Sequence, residues 1–261
     1  MALRGVIFDM GGTLLHFTPE GQSWEQSEKL GTGAVYQYLR TLEYTLPPEQ
    51  EALDAAWQVT RDTWAGIEHA DVKSLKLDTV LSVIAQGWGA EDLPGDVYQD
   101  MAAAYMGAIQ PYVRPLDGVY EMLRALRDDG LRLGLISNTF WPGSVHLQDL
   151  ERFDLTPYFE RLIFSSDAEA WKPNSGVFLQ ALDTLDLAPG EAAYVGDSLY
   201  FDVWGAQQAG LRSVWIEQPD PWLPEGIEVT PDATIRTLPE LPAIARDWAT
   251  VPDVPQSEKR G

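Results

Sequence analysis

Apolar positions fall into short blocks separated by longer stretches of mixed character. Five blocks are rich in β-branched and other apolar residues: residues 3–8, 131–137, 161–165, 192–196 and 213–217. They are bounded by Gly, Asp or Ser, which is typical of strands buried on both faces in a parallel sheet. The pattern therefore predicts a sheet covered by helices on either side.

Helical periodicity lies between these blocks. Residues 119–129 place Val119, Met122, Leu123 and Leu126 on one face, and residues 176–185 and 201–209 show similar spacing. Residues 233–235 form a candidate edge strand and residues 241–248 a last helix. Strands that alternate with helices indicate βαβ units, so the predicted class is α/β with a Rossmann-like parallel sheet.

Residues 17–112 interrupt this alternation. They contain several amphipathic helical stretches, many aromatic residues and no convincing strand. We therefore predict an α/β core domain from residues 1–16 and 113–248, with an inserted α-helical cap domain at 17–112. Most of the cap aromatics are expected to form its core, and a few to line a substrate cavity. Residues 249–261 are predicted to be a disordered tail.

Composition narrows the range of functions. The 261 residues carry a formal net charge of −22 and include no cysteine. Such an acidic chain is not expected to bind nucleic acid or anionic membranes, and thiolate chemistry is excluded. No apolar stretch is long enough for a membrane span, and the N-terminus lacks the features of a signal peptide. A cytoplasmic protein is expected.

Carboxylates follow two of the predicted strands. Asp9 follows the first strand, Asp197 follows the block at 192–196, and Asp202 comes five residues after Asp197. Because neighbouring parallel strands end at the same edge of a sheet, we expect Asp9 and Asp197 to converge. Clustered carboxylates repel each other unless a cation lies between them, and oxygen ligands favour Mg²⁺. The sequence therefore predicts a magnesium site.

The order of the motifs carries a family resemblance. Asp9-Met10-Gly11-Gly12-Thr13, Ser137-Asn138-Thr139, Lys172-Pro173 and Gly196-Asp197 with Asp202 match the four motifs of the haloacid dehalogenase (HAD) superfamily, in sequence and order. The insert after the first motif is similar to the helical cap of its first subfamily. The resemblance covers nearly the whole chain and implies a hydrolase, most often a phosphatase, that acts on a small phosphorylated metabolite.

The resemblance also implies roles for individual residues. Asp9 would be the nucleophile, and Ser137 and Lys172 would bind the phosphoryl oxygens. Asp9, Asp197 and the backbone carbonyl of Gly11 would hold Mg²⁺, with Asp202 supporting that site. Thr13, Asn138 and His16 are assigned to substrate binding, and Thr13 would also help to fix the loop.

Gly11 departs from the family pattern. Phosphatases of the superfamily have an aspartate here, which protonates the leaving group and then activates water. The chain is therefore interpreted as a slow or selective phosphatase, as an enzyme in which His16 replaces the acid, or as a binder of phosphorylated ligands without turnover. For His16, a role as a solvated hinge residue is the stronger interpretation.

Other functions were weighed against phosphate chemistry. Dehalogenases of the superfamily also lack the second aspartate, but Gly196-Asp197 favours a metal enzyme. The phosphonate-cleaving branch requires a cap lysine, for which Lys29, Lys73 and Lys76 are candidates. Gly196-Asp197-Ser198-Leu199 also spells the signature of GDSL esterases, but all three histidines precede Ser198, which excludes the chain order those enzymes need.

Overall fold

The computed structural model describes residues 1–67 and 75–250 of the chain. Eight strands occur in these ranges: β1 (Gly5–Phe8), β2 (Leu15–His16), β3 (Arg114–Pro115), β4 (Arg132–Ser137), β5 (Arg161–Phe164), β6 (Ala192–Gly196), β7 (Arg212–Ile216) and β8 (Ala233–Ile235). Six of them form one sheet in the order β5-β4-β1-β6-β7-β8, and every neighbouring pair is parallel. This confirms the predicted fold class.

Helices surround the sheet and fill the insertion. The described helices are α1 (Trp24–Thr41), α2 (Glu49–Ala65), α3 (Leu77–Gly87), α4 (Gly95–Ile109), α5 (Val119–Asp128), α6 (Gly143–Arg152), α7 (Ser175–Thr184), α8 (Gly205–Gln208) and α9 (Leu241–Ala249). Within the described ranges, no helix combines the length and apolar character needed to cross a membrane. Helices α5 and α7 begin and end within one residue of the positions predicted from their apolar spacing.

The strand register brings three chain segments to one edge of the sheet. Phe8, the last residue of β1, lies opposite Leu135 of β4 and Val195 of β6. The residues that follow these positions therefore emerge side by side, which explains why motifs far apart in the sequence meet in space. The sheet has an apolar core on each face, and β1 contributes Phe8 to one and Ile7 to the other.

Residues 17–112 form the helices α1 to α4, without a strand in their described part. These helices share a core that is distinct from the two cores of the sheet, and Phe140, Trp141 and Trp171 from sheet loops join it. The division into a core and a cap domain remains a prediction. Where the chain enters and leaves the insertion, β2 and β3 pair antiparallel, with His16 opposite Arg114. A strand of two residues is too short to show an alternating apolar pattern, so the sequence did not predict β2 or β3.

Two other regions bear on the sequence predictions. The helix predicted over 201–209 begins earlier, with a wide π-helical turn at Leu199–Trp204 that leads into α8. Ser198 caps this turn, because its hydroxyl accepts a hydrogen bond from the Phe201 N–H at 3.1 Å. The predicted tail lies outside the described residues beyond Thr250, and α9 extends one residue into it.

Candidate active site

Asp9 is fixed by the sheet and by the turn that follows it. Its N–H donates to the Val195 carbonyl at 2.9 Å, and the N–H groups of Leu14 and Leu15 donate to the Met10 carbonyl at 2.8 and 2.9 Å. Gly12 has φ +75°, and a Cβ at this position would clash with Asp197 Oδ2. A glycine is required at residue 12 both for the left-handed backbone and for the close approach of Asp197.

Lys172 lies at the centre of the site. Its ammonium nitrogen Nζ donates to Asp9 Oδ1 at 2.6 Å, to Asp202 Oδ1 at 2.7 Å and to the Tyr194 hydroxyl at 2.9 Å. Only 2% of the lysine side chain is exposed. An ammonium has three donors, so these contacts use all of them. Lys172 therefore contacts Asp9 and Asp202 directly, while its role in binding phosphoryl oxygens stays a prediction.

Asn138 holds the backbone of Lys172. Its Nδ2 donates to the Lys172 carbonyl at 2.8 Å, and its Oδ1 accepts from the Lys172 N–H at 2.9 Å. The amide thus acts as a two-point clamp between the loop after β4 and the loop that carries the lysine. This contact gives Asn138 a positioning task beside the substrate-binding role predicted for it.

Charge in the site is strongly unbalanced. Three carboxylates, those of Asp9, Asp197 and Asp202, each place an oxygen within 4.8 Å of the others. Burial raises the pKa of Asp9 to about 6, against the opposing effect of Lys172. Burial, together with Asp9 and Asp202, raises the pKa of Asp197 well above its usual range. Burial disfavours charge on Lys172, but Asp202 and Asp9 outweigh it, so the lysine pKa is raised.

The donor set fits a hard divalent cation. Three carboxylates face one ammonium, and burial, with a smaller contribution from the neighbouring carboxylates, raises the pKa of Asp9 and of Asp197. Asp202 is already engaged, since Oδ1 accepts from Lys172 and Oδ2 accepts from the Ser198 N–H at 2.9 Å. Asp9 and Asp197 are therefore the carboxylates best placed to bind Mg²⁺.

Two hydroxyl groups lie at the same edge of the sheet. Ser137 ends β4 and is buried, and its hydroxyl makes one long contact of 3.5 Å with the Asn138 carbonyl. That distance is beyond a normal O–H···O hydrogen bond. The buried Thr13 hydroxyl has no hydrogen-bond partner among the described residues. Both hydroxyls can therefore donate to a ligand without breaking a strong bond.

Gly11 does not need to be a glycine for conformational reasons. Its φ is outside the left-handed region, and a Cβ built there meets the Phe17 ring at 3.7 Å, an ordinary contact. His16 lies on β2, and burial and Arg114 lower its pKa, while Asp117 opposes them. A lowered pKa keeps the imidazole neutral, which disfavours His16 as a proton donor at neutral pH.

None of the three lysines in the insertion is seen buried in the described residues. Lys29 is ion-paired with Glu25 at 2.7 Å and with Asp54 at 2.6 Å. Lys76 is exposed at the start of α3, and Lys73 lies outside the described residues. The described part of the cap therefore supplies no buried lysine of the kind that a Schiff base needs.

Sequence reasoning missed Tyr194. It is 1% exposed, its hydroxyl donates to the Ile136 carbonyl at 2.9 Å, and it accepts from Lys172. Tyr194 lies within an apolar strand and gives no motif signal, because an aromatic residue is an ordinary choice for a buried strand. Tyr194 stands two residues before Gly196. That its side chain faces Lys172 becomes evident only when the register of β6 is known.

Comparison with known proteins agrees with this geometry. Residues 3–210 match the family model for haloacid dehalogenase-like hydrolases. The chain belongs to this family. The match covers most of the 261 residues and contains all the motifs that carried the resemblance, so the predicted family and the assignment as a hydrolase are confirmed.

The relatives of this hydrolase include several phosphatases. The chain is 28% identical to the pyrimidine 5′-nucleotidase YjjG of Escherichia coli, over 77% of this chain and 85% of that protein. It is 33% identical to the glyceraldehyde 3-phosphate phosphatase of Pyrococcus abyssi, but this alignment spans only 47% of that relative. A solved HAD phosphatase from Thermococcus onnurineus is 25% identical, with a TM-score of 0.62 over 93% of this chain and 97% of that one.

Proposed function

We propose that this hydrolase cleaves small phosphomonoesters in a Mg²⁺-dependent reaction, with Asp9 as the nucleophile. The observation that carries the proposal is the buried contact between Lys172 and Asp9, within a cluster of three carboxylates at the ends of β1 and β6. The names of the relatives, which include phosphatases for several small metabolites, support the same class of substrate.

Asp9 and Asp197, with the backbone carbonyl of Gly11, would hold the metal. A bound Mg²⁺ would neutralise the carboxylates and withdraw charge from the phosphoryl oxygens. Asp202 would support the site through Lys172 and the Ser198 N–H rather than bind the ion.

Lys172 orients the nucleophile. Because its ammonium holds Asp9 Oδ1, the carboxylate presents its other oxygen to the phosphorus atom. That oxygen forms a bond to phosphorus, the ester P–O bond breaks, and the leaving oxygen takes a proton from solvent. Water then cleaves the aspartyl-phosphate, which releases inorganic phosphate and restores Asp9. The net reaction consumes one ester and one water and yields one alcohol and one phosphate.

The hydroxyls and the amide clamp complete the site. Ser137 and Thr13 would donate to the phosphoryl oxygens, because neither hydroxyl has a strong bond within the described protein. Asn138 would act mainly by fixing the Lys172 backbone. Fixed donors of this kind promote phosphoryl transfer by positioning and charge neutralisation.

The test is phosphate release from a panel of phosphomonoesters, with Mg²⁺ and after thorough chelation. We expect activity that requires Mg²⁺ and that is lost in Asp9→Asn, a variant that keeps the side-chain shape but removes the nucleophile. Asp54→Asn, at an exposed carboxylate of α2, is the matched control. Phosphatase activity that survives chelation, or near-normal rates in folded Asp9→Asn, would contradict the proposal. Halide release from 2-haloacids would indicate the dehalogenase branch instead.

A further inference from the structure

Four aromatic rings meet at the junction of the insertion and the sheet loops. Trp64, on α2, has its ring centroid 4.7 Å from that of Phe140, 5.9 Å from Trp171 and 6.2 Å from Phe201. Phe140 and Trp171 are also in contact, at 5.3 Å. We refer to Trp64, Phe140, Trp171 and Phe201 as the ring cluster. One of its rings comes from the insertion, and three come from loops of the sheet.

The three loop rings are adjacent in sequence to residues of the candidate site. Trp171 precedes Lys172, and Phe201 precedes Asp202, whose Oδ1 lies 2.7 Å from the lysine nitrogen. Phe140 follows the Ser137-Asn138-Thr139 turn, which the Asn138 amide ties to Lys172. Three rings of the cluster are therefore carried by chain segments that also carry residues of the candidate site.

The cluster contains a buried donor that has no acceptor. Trp171 is 2% exposed, and its indole Nε1 has no hydrogen-bond partner among the described residues. Buried polar groups are normally paired, and an unpaired one requires an explanation. Another buried indole of this region, Trp88, donates its Nε1 to the Ala52 carbonyl at 2.9 Å. An acceptor atom on a ligand would satisfy Trp171 in the same way.

There is room beside the cluster. Trp64 and Phe201 are only half buried, so their rings keep exposed surface. Phe140 also lines a cavity of about 570 Å³ between α3, α4 and the loops after β4 and β5. The lining of this cavity includes Lys76, whose charge is offset by Asp78 and Asp167 of the same lining. Of the four rings of the cluster, Phe140 is the one in this lining, so the cavity adjoins the cluster at Phe140.

Two basic side chains in the described part of the insertion have acidic partners. Lys29 is paired with Glu25 and Asp54, and Arg61 lies 3.8 Å from Asp62 on the exposed side of α2. The ring cluster thus offers apolar flat faces and one N–H donor. Such a surface stacks favourably on another flat ring, but it makes few favourable contacts with an open-chain or charged group.

We propose that the ring cluster binds the leaving group of the substrate and selects phosphomonoesters whose alcohol carries an uncharged flat ring with a hydrogen-bond acceptor. This inference rests on the proposed phosphatase function and names its substrate class. Trp64 supplies the stacking face from the insertion, and Trp171 donates its indole N–H to the acceptor on the ring.

The test compares two esters of similar intrinsic reactivity. Benzyl phosphate and cyclohexylmethyl phosphate both release a primary alcohol, so they differ chiefly in the flatness of the ring. We expect kcat/KM to be about tenfold higher for benzyl phosphate, the size of a favourable aromatic contact. Trp64→Leu should reduce this preference to within about twofold, whereas Trp57→Leu should keep it. Trp57 is the matched control, because it lies on the same helix and contacts Trp24.

The indole donor is tested with pyridylmethyl phosphates, whose ring nitrogen is an acceptor. At least one isomer should exceed benzyl phosphate in kcat/KM, and Trp171→Phe should bring the ratio of kcat/KM for the two esters back to about one. Equal rates for benzyl and cyclohexylmethyl phosphate, or equal effects of Trp64→Leu and Trp57→Leu, would overturn the inference. Those outcomes leave the phosphatase proposal intact if Mg²⁺-dependent, Asp9-dependent phosphate release is seen. Without such release, the phosphatase proposal itself fails.

Discussion

Replacing Gly11 with aspartate should restore a missing proton donor. The residue two positions after Asp9 is where HAD phosphatases carry their general acid, and this chain has only a hydrogen atom there. The structure has room for a Cβ, because its nearest neighbour at residue 11 is the Phe17 ring at 3.7 Å and the backbone is not left-handed. Gly11→Asp should therefore fold.

The expected gain depends on the leaving group. A positioned general acid contributes about 10²- to 10⁴-fold when the leaving oxygen needs a proton. Part of this gain will be lost, because Gly11→Asp adds a fourth carboxylate beside Asp9, Asp197 and Asp202. We therefore expect about 10²-fold faster cleavage of alkyl phosphates in Gly11→Asp, and only a few-fold change for aryl phosphates, whose phenolate leaves without a proton.

The assay is a series of aryl and alkyl phosphates at saturating Mg²⁺, plotted as log kcat/KM against the pKa of the leaving alcohol. The wild-type slope should be steep, the Gly11→Asp slope shallow, and Gly11→Asn should follow the wild type, because an amide fills the same space without donating a proton as an acid. A Gly11→Asp slope equal to that of the wild type, in a folded protein, would refute the reasoning. So would a shallow wild-type slope; if His16→Gln then steepened it, His16 would be the acid.

Three further predictions follow from the same geometry. Gly12→Ala should abolish most of the activity, because residue 12 is left-handed and a Cβ would clash with Asp197. For the same reason it should lower the free energy of unfolding, measured in urea, by about 1–3 kcal/mol. Lys172→Ala should lower kcat/KM at least about 100-fold. Lys172→Arg should restore little of this loss, because three acceptors surround a compact ammonium. A decrease of only a few-fold in kcat/KM for Lys172→Ala would contradict this. Burial lowers the pKa of His146 from 6.5 to about 3, so the stability it contributes above pH 6.5 is lost as the pH falls toward 3. Burial raises the pKa of Asp149 from 3.8 to about 6, so its contribution is present below pH 3.8 and is lost as the pH rises through 6. Urea titrations between pH 4 and 6 should therefore give a slope of unfolding free energy against pH that is more positive by about 1.4 kcal/mol per pH unit in Asp149→Asn than in the wild type; an unchanged slope would contradict it.

Much of the fold could be predicted from local pattern. The strands β1, β4, β6 and β7 lie within predominantly apolar blocks, and β8 was predicted with the bounds that the structure shows. The π-helical turn at Leu199–Trp204 could not be predicted, because its wide turn depends on Asp202 reaching both Lys172 and the Ser198 N–H. A local pattern contains no information about such a tertiary contact.

Some residues of the candidate site could likewise be predicted from the sequence, and others could not. Asp9, Lys172 and Asp197 follow recognisable motifs, and the parallel register explains why Asp9 and Asp197 lie side by side. Tyr194 and the clamp made by Asn138 were not predictable as such, since a tyrosine in a strand and an asparagine in a turn are ordinary local choices. Their roles arise from contacts between segments that are distant in the sequence.

Gly11 and the ring cluster would favour overlapping sets of substrates for different physical reasons. Without a general acid, the site would turn over best those esters whose oxygen leaves easily, and aryl phosphates are the common example. The ring cluster would favour flat rings through contact, whether or not the oxygen is attached directly to the ring. Benzyl phosphate separates the two effects, because it has a flat ring but the poor leaving group of an alkyl ester. If the ring cluster acts in recognition, benzyl phosphate should keep its advantage over cyclohexylmethyl phosphate in Gly11→Asp as well, while both are cleaved faster.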